Sequence, residues 1–202
     1  MLFFKSLAVL SALAFGAISS LAAPAPVTET GLVARCSCDS LPTIIATLKD
    51  DISVSVAAIA AITADNCTVA AITPIVADIK AHVNVAITAV VALSGQPIDV
   101  IIGADIDVNA FAAIVADLLV FIFVSVGACL KVCVSVGVSA SIMPLLCGLG
   151  EVVGALIVAI LNVCAGIYVG LGVAIYGLIG VCVSVIIQLN ISVLINVLAI
   201  VL

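Results

Sequence analysis

Ile44, Leu48, Ile52, Val56, Ile59 and Ile62 recur at three- and four-residue steps, the stripe of an amphipathic helix that packs one face. Ser40, ahead of Leu41-Pro42, supplies an N-cap with proline in the first turn. Ala64-Asp65-Asn66-Cys67-Thr68 interrupts this helix. A second stripe follows in Ile72, Val76, Ile79, Val83, Ile87 and Val90, with Pro74 tolerable only in its first turn. Ser94-Gly95-Gln96-Pro97 closes it by turn chemistry. A third helix is expected to begin near Asp107 and run through Phe111, Val115, Leu118 and Ile122. A fourth is expected after Pro144, from about Glu151 to Gln188. Long helices with short connections predict an all-α antiparallel bundle of about four helices, the last two very apolar.

A strand pattern competes with this reading. Residues 132–138 alternate strictly, and Val-Cys-Val-Ser-Val occurs at 132–136 and again at 181–185. Alternation and β-branching favour strands. The length of the apolar stretch, with few turn residues, favours helix.

Charge divides the chain. Beyond Asp117 the only charged residues are Lys131 and Glu151. The sequence therefore reads as an amphipathic half at 41–117 and a strongly apolar half at 118–202 of one helical domain. The chain is 66% hydrophobic and 8% charged, against about 45–50% apolar and about 25% charged in ordinary globular domains. Its 202 residues can bury a full core, but polar residues are too few to cover it. Association or membrane contact is the expected consequence. A net charge of −6 excludes nucleic acid as a partner class, because that needs clustered Lys and Arg. With no Trp and two Tyr, no aromatic belt or stacking platform is expected.

The N-terminus changes how the cysteines are read. Lys5, the apolar run at 7–22 and the small residues at Ser20-Leu21-Ala22 form a secretory signal, expected to be cleaved after Ala22 or Ala23. Residues 23–40 read as an extended leader. Cys36, Cys38, Cys67, Cys129, Cys133, Cys147, Cys164 and Cys182 then become disulfide candidates, since an exported chain with an even count is normally cross-linked. The first helix is ~35 Å long at ~1.5 Å per residue. Cys67 should accordingly lie beside Cys129 and Cys133, at the far end of the third helix. Cys36 and Cys38 should meet Cys182, and Cys133 and Cys147 could close the turn between the last two helices. Cys164 and Cys182 share a face if one helix carries both.

Catalytic chemistry has little to build on. Asp105-Ile106-Asp107-Val108-Asn109 opens like a calcium loop. Ala110 replaces the required glycine, however, and Ala116 stands where the bidentate acid belongs. These acids read instead as solvated helix-start residues. His82, the single histidine, reads as a surface residue four positions after Asp78. No zinc spacing, phosphate loop, dinucleotide fingerprint or Ser-His-Asp pattern is apparent, so no cofactor and no enzymatic activity are expected. Asn66-Cys67-Thr68 is the glycosylation candidate, at Asn66, while Asn190-Ile191-Ser192 reads as a chance match in an apolar segment. Gly150, Gly154, Gly166, Gly170, Ala174 and Gly177 set small residues at helical steps. Gly166, Gly170, Ala174 and Gly177 are candidate helix-packing positions.

The layout resembles the small secreted hydrophobic wall or matrix proteins of basidiomycete fungi. The resemblance rests on Leu21-Ala22-Ala23-Pro24-Ala25-Pro26, on Leu32-Val33-Ala34-Arg35-Cys36-Ser37-Cys38, and on a polar first half before an apolar second half. It implies a non-enzymatic, extracellular role in surface coating, aerial growth or attachment, with the chain itself and hydrophobic surfaces or wall matrix as partners. The hydrophobins also carry eight cysteines, but this chain lacks their two adjacent Cys-Cys pairs. The expectation is a secreted structural protein that self-associates or adsorbs at hydrophobic interfaces. The alternative is an integral membrane protein, with a lipid bilayer as partner and one or two spans within 152–202, where no charge occurs.

Overall fold

Residues 39–198 are described by the computed structural model. The expected signal peptide at 1–22, the leader up to residue 38, Cys36 and Cys38 lie outside the described residues. The fold is all-helical: α1 (Leu41–Ala60), α2 (Val69–Ala92), α3 (Ile98–Ile102), α4 (Val108–Ser135), α5 (Ser139–Val163), α6 (Tyr168–Leu178), α7 (Gly180–Gln188) and α8 (Ser192–Val197), with a 3₁₀ turn at Ala165–Ile167.

Most of the first expected stripe is the buried face of α1, where Leu48, Ile52, Val56 and Ile59 point inward; Ile45 takes the inward place expected for the half-buried Ile44, and Ile62 is buried just past the helix. Thr68 caps α2 by accepting from the Ala71 amide at 3.2 Å, and Pro74 is accommodated in the second turn. Asp107 caps α4 by accepting from the Ala110 amide at 2.7 Å. That hydrogen bond gives the acid a structural role at the helix start. The β-like segment 132–138 is not a strand. Its first part completes α4, and Gly137, at φ 75°, ends the helix. The Val138 amide reaches the Cys133 carbonyl and the Gly137 amide reaches that of Val134, the paired bonds of a glycine C-cap.

Four long helices form the bundle. α1 packs on α2 and α4, and α5 packs on α2 and α4. α1 and α2 form an antiparallel hairpin, as do α4 and α5 across the tight turn at 136–138. The two hairpins sit with like directions side by side: Lys49 meets Asp117 and Cys67 meets Cys133, so α1 runs parallel to α4. The link through α3 passes α1 on its way from α2 to α4. The expected antiparallel arrangement thus holds within each hairpin and not between them.

The expected fourth helix, 151–188, is replaced by several pieces. α5 starts earlier, at Ser139, and contains Pro144. It stops at Val163, and the chain turns again at Ile179, where α6 and α7 meet at 92°. α6 and α7 then pack on α4, and α8 packs on α5, as an outer layer. Close packing there needs missing side chains. A Cβ on Gly127 would come within 2.7 Å of Val185, and one on Gly154 within 3.1 Å of Val193. Gly150 meets Ile191 in the same way.

Candidate functional site

The core is wholly apolar, and no polar or charged residue is buried among the described residues. Where nearly every side chain is apolar, helical spacing rather than polarity distinguishes the inward face. Leu171, Ile175, Ile179, Cys182, Ile186 and Leu189 are buried, in steps of three and four through α6 and α7. Val169, Val173 and Val181 between them are exposed at 74%, 67% and 69%. Along α5 the buried face mixes large residues, Leu146, Leu149, Leu156, Ile157 and Ile160, with the small Gly150, Gly154 and Ala159. Ile160 therefore belongs to the core, although it shares the uncharged stretch with the exposed Val173.

The exposed side of α6 and α7 is the candidate interaction surface. Tyr168, Val169, Val173, Tyr176, Leu178, Val181 and Ile187 are solvent-facing there. No charged side chain follows Glu151 in the sequence to break the patch. The predicted packing glycines belong to it. Gly166, Gly170 and Gly177 have nothing within 4 Å of where a Cβ would stand. Ala174 and Gly177 instead line a shallow groove with Asn109, Ala113, Val173 and Leu178. Within the described chain the close helix contacts are made by Gly127, Gly150 and Gly154. Exposed apolar side chains grouped on helices that carry no charge of their own favour association with other apolar surfaces.

The charges gather elsewhere. Lys49 on α1 pairs with Asp117 on α4 and lies 5.3 Å from the centre of the Phe121 ring. Asp78 and His82 on α2 face Asp51 and Ser55 on α1. Ser55 donates to Asp78 at 2.6 Å, and the two His82 nitrogens lie 3.7 Å from Asp51 and Asp78. His82 lies at the surface as its sequence position implies, but Asp51 from α1 joins Asp78 beside it. The paired i, i+4 spacings Asp51/Ser55 and Asp78/His82 on adjacent helices were the available signal. The serine bonds the carboxylate rather than the imidazole, so this is not a nucleophile–base pair. Asp105 lies in the turn ahead of α4, on the exposed surface. Among the described residues no group of His, Cys, Asp or Glu is arranged to hold a metal ion.

Asn66 is exposed in the α1–α2 loop, and its Oδ1 accepts from the Thr63 amide at 2.7 Å. Asn190 is also exposed, in a turn at φ 51°, so it lies on the surface rather than inside an apolar helix.

The six described cysteines are unbonded. Cys67 and Cys133 bring their sulfurs to 2.7 Å, and Cys129 lies 3.8 Å from Cys133. This is the neighbourhood expected for Cys67. The expected Cys133–Cys147 closure is not formed, because Cys147 donates to the Leu189 carbonyl at 3.0 Å. Cys164 ends α5 and Cys182 donates to the Ile179 carbonyl in α7, so the break in the helix separates the faces they were expected to share. Burial pushes the Cys67 thiol up to about 11, with the neighbouring Cys133 adding to the shift. Cys129 and Cys133 are also raised, first by burial.

Three helices, α2, α4 and α5, are long and apolar enough to cross a membrane. After Val163 the described helices are individually short, and the α6–α7 pair qualifies only as a bent unit. No family model, curated protein or solved structure matches this chain.

Proposed function

We propose that this is a secreted, non-enzymatic structural protein that self-associates or adsorbs at hydrophobic interfaces, such as a hyphal surface or cell wall, through the uncharged face of α6 and α7. The observation that carries the reading is the exposure of Val169, Val173, Val181, Leu178, Ile187 and two tyrosines on helices that carry no charge. The acidic α1–α2 side stays hydrated and keeps the adsorbed molecule oriented. Disulfides among the eight cysteines belong to this reading, because a cross-linked bundle can bind through one face without unfolding.

The membrane-spanning alternative was expected within 152–202, where beyond Val163 only the bent α6–α7 pair reaches spanning length, and it rests instead on the lengths of α2, α4 and α5. Their charges oppose it. Asp78, Lys80 and His82 lie at the middle of α2, and Glu151 lies exposed at the middle of α5. An Asp or Lys at the centre of a spanning helix costs ~2.5–3.5 kcal/mol. Fractionation tests the choice. The account expects protein in the medium or wall, able to lower surface tension when purified. Retention in alkali-washed membranes, with no surface activity, supports the alternative.

A further inference from the structure

We infer that Cys67 and Cys133 are the partners of a specific disulfide that fastens the α1–α2 loop to the end of α4, with Cys129 left as a third, unpaired thiol beside it. Three buried sulfurs meet at one end of the bundle, on two segments that no backbone hydrogen bond joins. The Cys67–Cys133 separation of 2.7 Å is closer than unbonded sulfurs rest, and little movement brings it to the ~2.05 Å of a bond. Cys129, at 3.8 Å, is the poorer partner and lies one turn from Cys133 on the same helix. Cys147 and Cys182 direct their sulfurs to backbone carbonyls instead.

The chemistry balances with a low-molecular-weight disulfide as oxidant. Cys67, in the loop, attacks one sulfur of the oxidant and releases the first thiol. Cys133 then attacks the Cys67 sulfur of the mixed disulfide, forming the internal bond and expelling the second thiol. Two protein thiols are oxidised, the oxidant's disulfide is reduced, and the two protons end on the two released thiols. The bond closes a segment of 66 residues, which spans α2, α3 and most of α4.

This inference deepens the exported, cross-linked reading and is tested separately from it. Purified, fully reduced full-length protein is titrated with oxidised glutathione, alkylated and mapped by non-reducing proteolysis at aspartates. Further cleavage at Lys131 separates Cys129 from Cys133, and tandem mass spectrometry places the bonded sulfur within the fragment that begins at Val132. The first link formed should join Cys67 to Cys133, with Cys129 alkylated. Cys129→Ala should retain that link, whereas Cys67→Ala and Cys133→Ala should lose it. Reduction should lower Tm by on the order of 10 °C in wild type and in Cys129→Ala, but not in Cys67→Ala. A Cys67–Cys129 link in wild type, Cys67 bonded to any other cysteine, or Cys67 still free after full oxidation overturns the inference. Protein isolated with reduced thiols that forms the pair on oxidation supports the inference and counts against export. Exported protein with a different pairing counts against the inference alone.

Discussion

Three substitutions on α6 and α7 separate surface activity from folding. Val169, Val173 and Val181 are exposed at 74%, 67% and 69%. Fully burying a valine is worth about 1.5 kcal/mol at the lower end. With roughly seven-tenths of each side chain still to be buried, contact with an apolar surface gains ~1 kcal/mol per residue and ~3 kcal/mol for the three. Val169→Asp and Val181→Asp fall in the first turns of α6 and α7, where the helix dipole favours an acid. Val173→Lys stands four residues after position 169, the favourable order for an opposite-charge pair. The triple variant should therefore fold as wild type does, within about 0.5 kcal/mol per site. It loses the ~3 kcal/mol and must also dehydrate charges on adsorption, so the adsorption constant should fall by ~100-fold or more. Binding isotherms on hydrophobic beads, alongside thermal unfolding, provide the measurement. Unchanged adsorption by a normally folded triple variant would refute the assignment of the surface. Ile160→Asp is the contrast: it places a charge in the core and should prevent folding altogether.

Glycines should behave oppositely according to what surrounds them. Gly170→Ala and Gly177→Ala, with open space at the added Cβ, should each stabilise α6 by up to ~1 kcal/mol and raise Tm by a few degrees. Gly127→Ala, whose Cβ would press on Val185, should lose ~1–3 kcal/mol to overpacking, offset in part by helix propensity. Asp107→Ala removes the α4 cap and should cost ~1 kcal/mol, while His82→Ala should change little, and both should leave adsorption intact. For the reduced protein, the buried Cys67 thiol ionises near 11 rather than at its ordinary 9.0. Its neutral form is favoured by folding, so this contribution is complete below pH 9 and is lost as pH rises toward 11. Thermal unfolding across that range should show Tm falling, less so after the Cys67 thiol is oxidised.

Polarity made the first half of the fold legible. Leu48, Ile52 and Ile59 alternate with exposed Asp50, Asp51 and Ser53, so most of the buried face of α1 can be read from the sequence, with Ile45 inward in place of Ile44. Gly95 and Asp107 likewise marked the α2 stop and the α4 start through turn and cap chemistry. In the second half that contrast vanishes. The breaks at Cys164 and Ile179 carry no proline or charge, and a uniformly apolar window has no polarity period to interrupt. Part of the information lay in the spacing of the leucines and isoleucines, although Leu178 and Ile187 face outward. The spacing of Leu171, Ile175, Ile179, Cys182, Ile186 and Leu189 marks the inward face, and Val169, Val173 and Val181 mark the outward one. The Cys67–Cys133 neighbourhood followed from helix order, because one hairpin loop and the end of the next rising helix must meet. The His82 cluster depended on the register between α1 and α2, which neither helix encodes alone.

The two tyrosines of the chain, Tyr168 and Tyr176, both lie on α6 at 40% and 38% exposure, and the chain has no tryptophan. Intrinsic fluorescence therefore reports on the proposed contact surface without a label. The decisive measurement is iodide quenching of that fluorescence, free in solution and adsorbed to hydrophobic particles. The account predicts ready quenching in solution and strong shielding on the particles, with near-native helix content in both states. Equal quenching of the adsorbed protein would contradict it, because some other face would then be holding the surface.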